Sequence, residues 1–301
     1  MTTDPTDSRR TMTFRPGEAT VYTTTDGIGD LTRALRATGR PVVLVPTMGA
    51  LHEGHLALVR EAQRIPGGVV VVSIFVNPLQ FGEGEDLDAY PRTLDEDVAK
   101  LRAAGVDAVF APTVRDMYPN GPRTTVHPGP AGAVLEAEHR PTHFAGMLTV
   151  VNKLFRLTNC DHAVFGEKDW QQLVLVQQMV TDLDMRVRVH GVPVVREADG
   201  LARSSRNTYL SAAERETALA LSAALTAGAH AAARGPEAVL AAARAVLDDS
   251  GVDVDYLALR APDLGEAPAE GDARLLVAGR VGTTRLIDNV GVPLGAAGVE
   301  G

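Results

Sequence analysis

A single cysteine, Cys160, stands among 301 residues, which excludes an internal disulfide framework and a cysteine-rich zinc site and suits a reducing compartment. Free cysteine is among the most buried residue types, so Cys160 is expected in the core. Basic charge is also short: 29 Lys and Arg against 38 Asp and Glu leave a formal charge of −9, and no overall basic field draws the chain to nucleic acid or anionic lipid. Any phosphate site must be local. Aromatics make up only 4% and form no stacking ladder for nucleic acid. No stretch approaches ~18 apolar residues, so no membrane span is expected. The stretch MTTDPTDSRRTMTFRPGEA lacks the apolar core of a secretion signal, so a cytoplasmic location is expected. Neither a Walker P-loop nor a GxGxxG fingerprint occurs, and the common nucleotide cradles are absent.

What is present is 45% hydrophobic residues with 22% charged, the balance of a folded chain with a real core. Pro41 to Pro46 is a short β-branched run that gives way to Thr-Met-Gly and then to a helical pattern from Gly54 to Arg64. Val69 to Val76 is apolar at nearly every position, the mark of a parallel strand covered on both faces. Leu94 to Ala104 reads as a helix stopped by Gly105, Val106 to Phe110 as a strand, Gly146 to Leu157 as a helix and His162 to Phe165 as a strand. Trp170 to Met179 continues as a helix and Met185 to Val189 as a strand. Strands and helices alternating at this rhythm predict a Rossmann-like doubly wound α/β sheet over residues 21–194. From 195 to 290 a smaller α+β domain is expected, with helices over Ser211–Arg234 and Pro236–Asp249 and strands over Val254–Leu259, Ala273–Val281 and Thr284–Ile287. Residues 1–20 read as a disordered extension and 291–301 as a flexible tail.

The most informative stretch is Pro46-Thr-Met-Gly-Ala-Leu-His-Glu-Gly-His55, where the first of these strands hands over to its helix. Ligands of open parallel sheets bind outside the carboxyl ends of strands, and a helix N-terminus there offers free N–H groups to phosphate. His52 and His55, three apart, can share one face of the first turn and meet the same anion. Zinc is the rival, although HEGH is one residue short of the metalloprotease spacing and lacks a third ligand. Gln80, after the most buried strand, offers an amide that donates and accepts. Gly166-Glu-Lys-Asp169 repeats the strand-end logic, with Lys168 a point charge for phosphate. Ser204-Ser-Arg206 packs two hydroxyls with a guanidinium and reads either as a triphosphate clamp or as a polar interdomain turn. Asp95-Glu-Asp97 reads as charge favouring a helix N-terminus, or as help in holding Mg²⁺.

Val45 to His55 resembles the signature of the pantoate–β-alanine ligase (pantothenate synthetase) family of HxGH nucleotidyltransferases. Four further segments agree in order and spacing: Phe75 to Phe81, Tyr90 to Thr93, Arg140 to Val151 and Phe165 to Gln172; Arg203-Ser-Ser-Arg-Asn207 follows them. The likeness runs from about residue 22 to residue 293. It implies an ATP-dependent condensation of pantoate with β-alanine through a pantoyl adenylate, releasing AMP and pyrophosphate, with Mg²⁺ and in a homodimer. It assigns His52, His55, Lys168, Ser204, Ser205 and Arg206 to catalysis, the last four on the triphosphate. Met48, His55, Gly166, Lys168, Asp169, Val195, Ser204, Ser205 and Arg206 would bind ATP. Pro46, Met48, Gln80 and Gln172 would bind pantoate, with Asn77 and Tyr90 in a neighbouring substrate loop. Thr142 departs from the family's usual glycine. On residues alone, another HxGH adenylyltransferase or a silent nucleotide-binding protein stays open.

Overall fold

The alternation of side chains along the apolar strands decides the architecture. The computed structural model describes residues 14–295. Six strands, β1 (Thr20–Tyr22), β2 (Val42–Thr47), β3 (Val69–Ile74), β4 (Ala108–Phe110), β5 (His162–Gly166) and β6 (Arg188–Val192), form one sheet in the order β1-β4-β3-β2-β5-β6. Every neighbouring pair is parallel. Among the described residues nine helices intervene and follow: α1 (Thr25–Ala37), α2 (Glu53–Gln63), α3 (Leu94–Ala103), α4 (Val114–Met117), α5 (Glu136–His139), α6 (His143–Thr158), α7 (Trp170–Asp182), α8 (Ala212–His230) and α9 (Pro236–Asp248). Val42, Leu44, Val69 and Val71 point into a core with α1, α6 and α7. Their neighbours Val43, Val45, Val70 and Val72 point the other way, onto α2 and α3. Burial on both faces is why the strands are apolar throughout rather than alternating.

The chain runs outward from β2 through β3 on one side and from β5 to β6 on the other, so β2 and β5 meet at the switch point of the sheet. A crevice opens there at the strand carboxyl ends, the place where such sheets take ligands. A second, antiparallel sheet of β7 (Asp253–Arg260), β8 (Gly271–Val281) and β9 (Thr284–Leu294) packs under α8 and α9 with its own core. A small apolar cluster of Leu135, Val174, Leu264 and Leu276 joins the two parts.

Three expectations need correction. The polar composition of residues 1–20 predicts a disordered extension, yet Gly17 donates its N–H to Asp107 (3.0 Å). Ala19 is fully buried with its N–H on the Val106 carbonyl (2.7 Å), and Thr20 begins β1. The reason is non-local, since these residues pair with the start of β4, some ninety positions on. The tail was expected to be flexible from 291, but β9 continues to Leu294 opposite Gly271 of β8, with Val292 and Leu294 pointing inward and buried. Residues 1–13 and 296–301, the rest of these two stretches, lie outside the described residues. The strand expected over Met185–Val189 lies at Arg188–Val192, because its register is set by β5, with His162 opposite Arg188 and Gly166 opposite Val192. Cys160 is buried, as expected, and its thiol is pushed up to about 12 by burial. Among the described residues no helix is long and apolar enough to cross a membrane.

Candidate active site

The turn after β2 is built around two imidazoles. His52 is the N-cap of α2, and its Nδ1 accepts the Gly54 N–H (3.1 Å), while the His52 N–H donates to Nδ1 of His55 (3.2 Å). An N–H can only donate, so both Nδ1 atoms are unprotonated and both protons sit on Nε2 in the neutral rings. The rings lie 4.1 Å apart between centroids and both border the crevice. Burial first, then the positive charge of Lys168 and Arg203, lowers His52 to about 4; burial, then His52 and Lys168, lowers His55 to about 3. At neutral pH the pair is therefore two uncharged Nε2–H donors. Gly54 leaves room for the capping ring, since a Cβ there would stand 2.8 Å from Cε1 of His52 and the imidazole would have to shift.

Asp97, in the first turn of α3, secures this turn from below. Fully buried, it accepts from Ala50 N (2.9 Å), Leu51 N (2.8 Å) and the Thr93 hydroxyl (3.1 Å). Asp95, Glu96 and Asp97 do fall in the first turn of α3, as the helix-terminus reading expects, and the oxygens of Asp97 are in addition taken by the backbone of the histidine turn. None of the three residues borders the crevice. Among the described residues no group of three or more His, Cys, Asp or Glu is placed to hold a metal ion, so zinc finds no third ligand beside the histidines.

The floor follows β3. Asn77 caps a short helical turn, Pro78–Gln80, and its amide donates to Gln80 Oε1 (3.0 Å) and to the Gly146 carbonyl (3.2 Å), while Tyr118 donates its hydroxyl to Asn77 Oδ1 (2.9 Å). Gln80 is thereby aimed with its Nε2 toward Met48 Sδ (3.3 Å). The turn lies directly on α6, because a Cβ on Gly146 would fall 2.0 Å from the Leu79 carbonyl oxygen. His143 Nδ1 donates to the Gln80 carbonyl (2.9 Å), leaving Nε2 as acceptor for Arg140 (3.4 Å), and burial lowers His143 to about 4. Thr142, just ahead, has φ −97° and ψ −9°, a conformation open to any residue, so the missing glycine costs no strain.

The opposite wall carries the charge. Gly166 ends β5, Lys168 and Asp169 follow it, and Gln172 lies in the first turn of α7; Lys168 Nζ is 3.8 Å from Asp169. Beyond β6, Ser204 caps the turn Ser205–Tyr209 by accepting the Arg206 N–H (3.2 Å), and Ser205 meets the Tyr90 hydroxyl (3.4 Å). Arg206 is held bidentately by Asp86 (2.8 and 3.0 Å), and Arg140 by Glu85 (2.5 to 3.2 Å). Two acidic side chains of the 82–90 loop thus sit on two guanidinium groups of the crevice.

The crevice brings together Pro46, Met48, His52, His55, Gln80, Tyr90, Gly166, Lys168, Asp169, Gln172, Val195, Ser204, Ser205 and Arg206, the residues expected from sequence apart from Asn77 and the acidic run. Asn77 is 1% exposed and acts behind Gln80 rather than in the crevice. Sequence reasoning assigned no role to Arg140, His143, Arg203, Phe75 or Met147, all of which line it. The first two lay within the Arg140–Val151 segment already singled out, and their charge and imidazole were the available signal.

Comparison with known proteins follows this geometry. The Pantoate-beta-alanine ligase family model matches residues 20–291. A pantothenate synthetase of Corynebacterium jeikeium is 75% identical across 94% of this chain and 93% of its own, and one from Nocardia farcinica is 66% identical across 94% and 89%. Among solved structures, a pantothenate synthetase of Thermus thermophilus superposes with a TM-score of 0.84 at 45% identity, covering 90% of this chain and 98% of its own. A pantoate-beta-alanine ligase of Francisella tularensis, complexed with beta-gamma ATP and beta-alanine, superposes with a TM-score of 0.77 at 32% identity, covering 93% and 99%.

Proposed function

The chain belongs to the pantoate–β-alanine ligase family, and from that premise we propose how its crevice makes pantothenate from pantoate, β-alanine and ATP. The pantoate carboxylate attacks the α-phosphorus of ATP, forming the acyl phosphate bond of pantoyl adenylate and releasing pyrophosphate. The β-alanine amine then attacks the acyl carbon, the amide forms, and AMP leaves as the nitrogen loses its proton.

One observation carries this reading: both His52 and His55 have Nδ1 occupied by a backbone N–H, so each keeps a neutral Nε2–H donor for charge that grows on the α- and β-phosphates. Lys168, Ser204, Ser205 and Arg206 hold the rest of the triphosphate, Arg206 exchanging Asp86 for phosphate. Gly166 and Asp169 take the ribose, and Met48 and Val195 lie along the nucleotide. Gln80 and Gln172 hydrogen-bond pantoate against Pro46 and Met48. Tyr90 closes the neighbouring loop, and Asn77 orients Gln80. No covalent nucleophile is needed, since positioning and preorganised donors supply the acceleration. A magnesium ion would arrive on the phosphate oxygens of the nucleotide, its usual mode, and would neutralise their charge there; the wall offers Asp169, and among the described residues no group of three or more His, Cys, Asp or Glu forms a cage. The reading extends to a cytoplasmic homodimer, on family membership alone.

Exchange of labelled pyrophosphate into ATP tests it. Exchange should require pantoate and should not require β-alanine, whereas exchange indifferent to pantoate would contradict the adenylate.

A further inference from the structure

The two segments that carry the charge, 166–169 and 195–206, do not bond to each other through their backbones, yet both are tied to consecutive residues of β9. Asn289, 2% exposed, donates its amide to the carbonyls of Glu167 (3.0 Å) and Lys168 (2.8 Å) and accepts from Arg274 Nε (2.6 Å). Its side chain is fully paired, and both donors are directed at the turn that presents the Lys168 ammonium. Asp288, 4% exposed, takes Arg196 bidentately (2.6 and 3.1 Å). Arg196 opens the turn that bridges to Ala202 and leads into Ser204. Arg274 reinforces the first contact, lying 3.8 Å over the Trp170 ring and pairing with Glu167 (3.1 Å). A buried amide that satisfies two backbone carbonyls fixes the orientation of the peptides it meets, as outer partners do for metal ligands.

We propose that Asp288 and Asn289 are positioning residues for adenylation, setting the register between the lysine turn and the Ser-Ser-Arg turn so that both reach one triphosphate. This rests on the assignment of Lys168 and Ser204 to Arg206 to ATP. The second sheet is then part of the nucleotide site although neither residue needs to touch the nucleotide. The effect belongs to the first half-reaction, because pantoyl adenylate carries no β- or γ-phosphate.

The test uses the full chain with Asn289→Ala, Asn289→Asp and Asp288→Asn, and Lys168→Ala in parallel. Asn289→Asp keeps the shape and the acceptor for Arg274 while replacing both donors, so it serves if Asn289→Ala does not fold. Each variant is measured for KM of ATP and of pantoate, for single-turnover adenylation, and for reaction of supplied pantoyl adenylate with β-alanine. The β9 variants should raise the KM of ATP or slow adenylation about tenfold, the scale of a small misplacement. The KM of pantoate and the second half-reaction should stay within about twofold. Losses shared equally by both half-reactions, or adenylation unchanged in folded variants while Lys168→Ala slows it, overturn the proposal alone. Adenylation unchanged in Lys168→Ala overturns the phosphate assignment beneath it, whatever the β9 variants do.

Discussion

In the proposed reading His52 and His55 each do two jobs with one ring, Nδ1 capping the start of α2 and Nε2–H donating to phosphate. The jobs are separable. His52→Asn supplies another side-chain acceptor at an N-cap, where asparagine is among the best residues, but has no Nε2–H. His52→Ala loses both, at roughly 1 kcal/mol for the cap. Both variants should slow adenylation by roughly 10² to 10³, the effect of removing one preorganised donor, while thermal unfolding should show a loss for His52→Ala that His52→Asn largely recovers. An asparagine variant with near-normal adenylation would show that the ring acts only as a cap. The histidines were legible in the sequence because their spacing falls at a strand-to-helix turn; their tautomers were not, since those depend on which backbone N–H each ring meets.

The elements that hold the site were less legible than the site itself. Asp97 reads as one of three acids in the first turn of α3, and its partners, Ala50 and Leu51, lie 46 or more residues away. Sequence spacing within a helix says nothing about a clamp across that distance. The same applies to β1 and α1, which went unread because three residues make a poor strand signal and Gly27 and Gly29 interrupt the helical pattern. Asp97→Asn turns one acceptor into a donor facing the backbone N–H groups of the histidine turn. It should destabilise the fold by about 1–3 kcal/mol, the cost of an unsatisfied buried group, and should raise the KM of ATP more than that of pantoate. Denaturant unfolding with steady-state kinetics checks both, and a variant as stable as the parent would remove the clamp from the account.

At the scale of the whole molecule, neutral histidines that are buried (His143) or half-buried (His52, His55) make folding sensitive to acid. His52 and His143 are lowered to about 4 and His55 to about 3 from an ordinary 6.5, in each case by burial first. Well above pH 6.5 neither the folded nor the unfolded chain protonates them, and their linkage is silent. As pH falls from 6.5 toward 4, the unfolded chain binds protons that the folded chain refuses, so stability must fall. Unfolding midpoints measured from pH 7.5 to 5.5 should already decline, above the range where the carboxylates titrate, and a flat profile would contradict the neutral assignment. The overall layout, a doubly wound sheet followed by a smaller α+β part, was legible because burial on both faces writes itself as unbroken apolar runs. The grip of the second sheet on the lysine turn was not, because Asn289 and Lys168 are 121 residues apart. The central claim is that charge in this crevice serves ATP while amides serve pantoate, and comparing both half-reactions in Lys168→Ala and Gln172→Ala tests it most directly. Lys168→Ala should lose adenylation yet still convert supplied pantoyl adenylate, and Gln172→Ala should weaken both steps because the pantoyl group persists through each. Equal losses in the two half-reactions for Lys168→Ala would contradict the account.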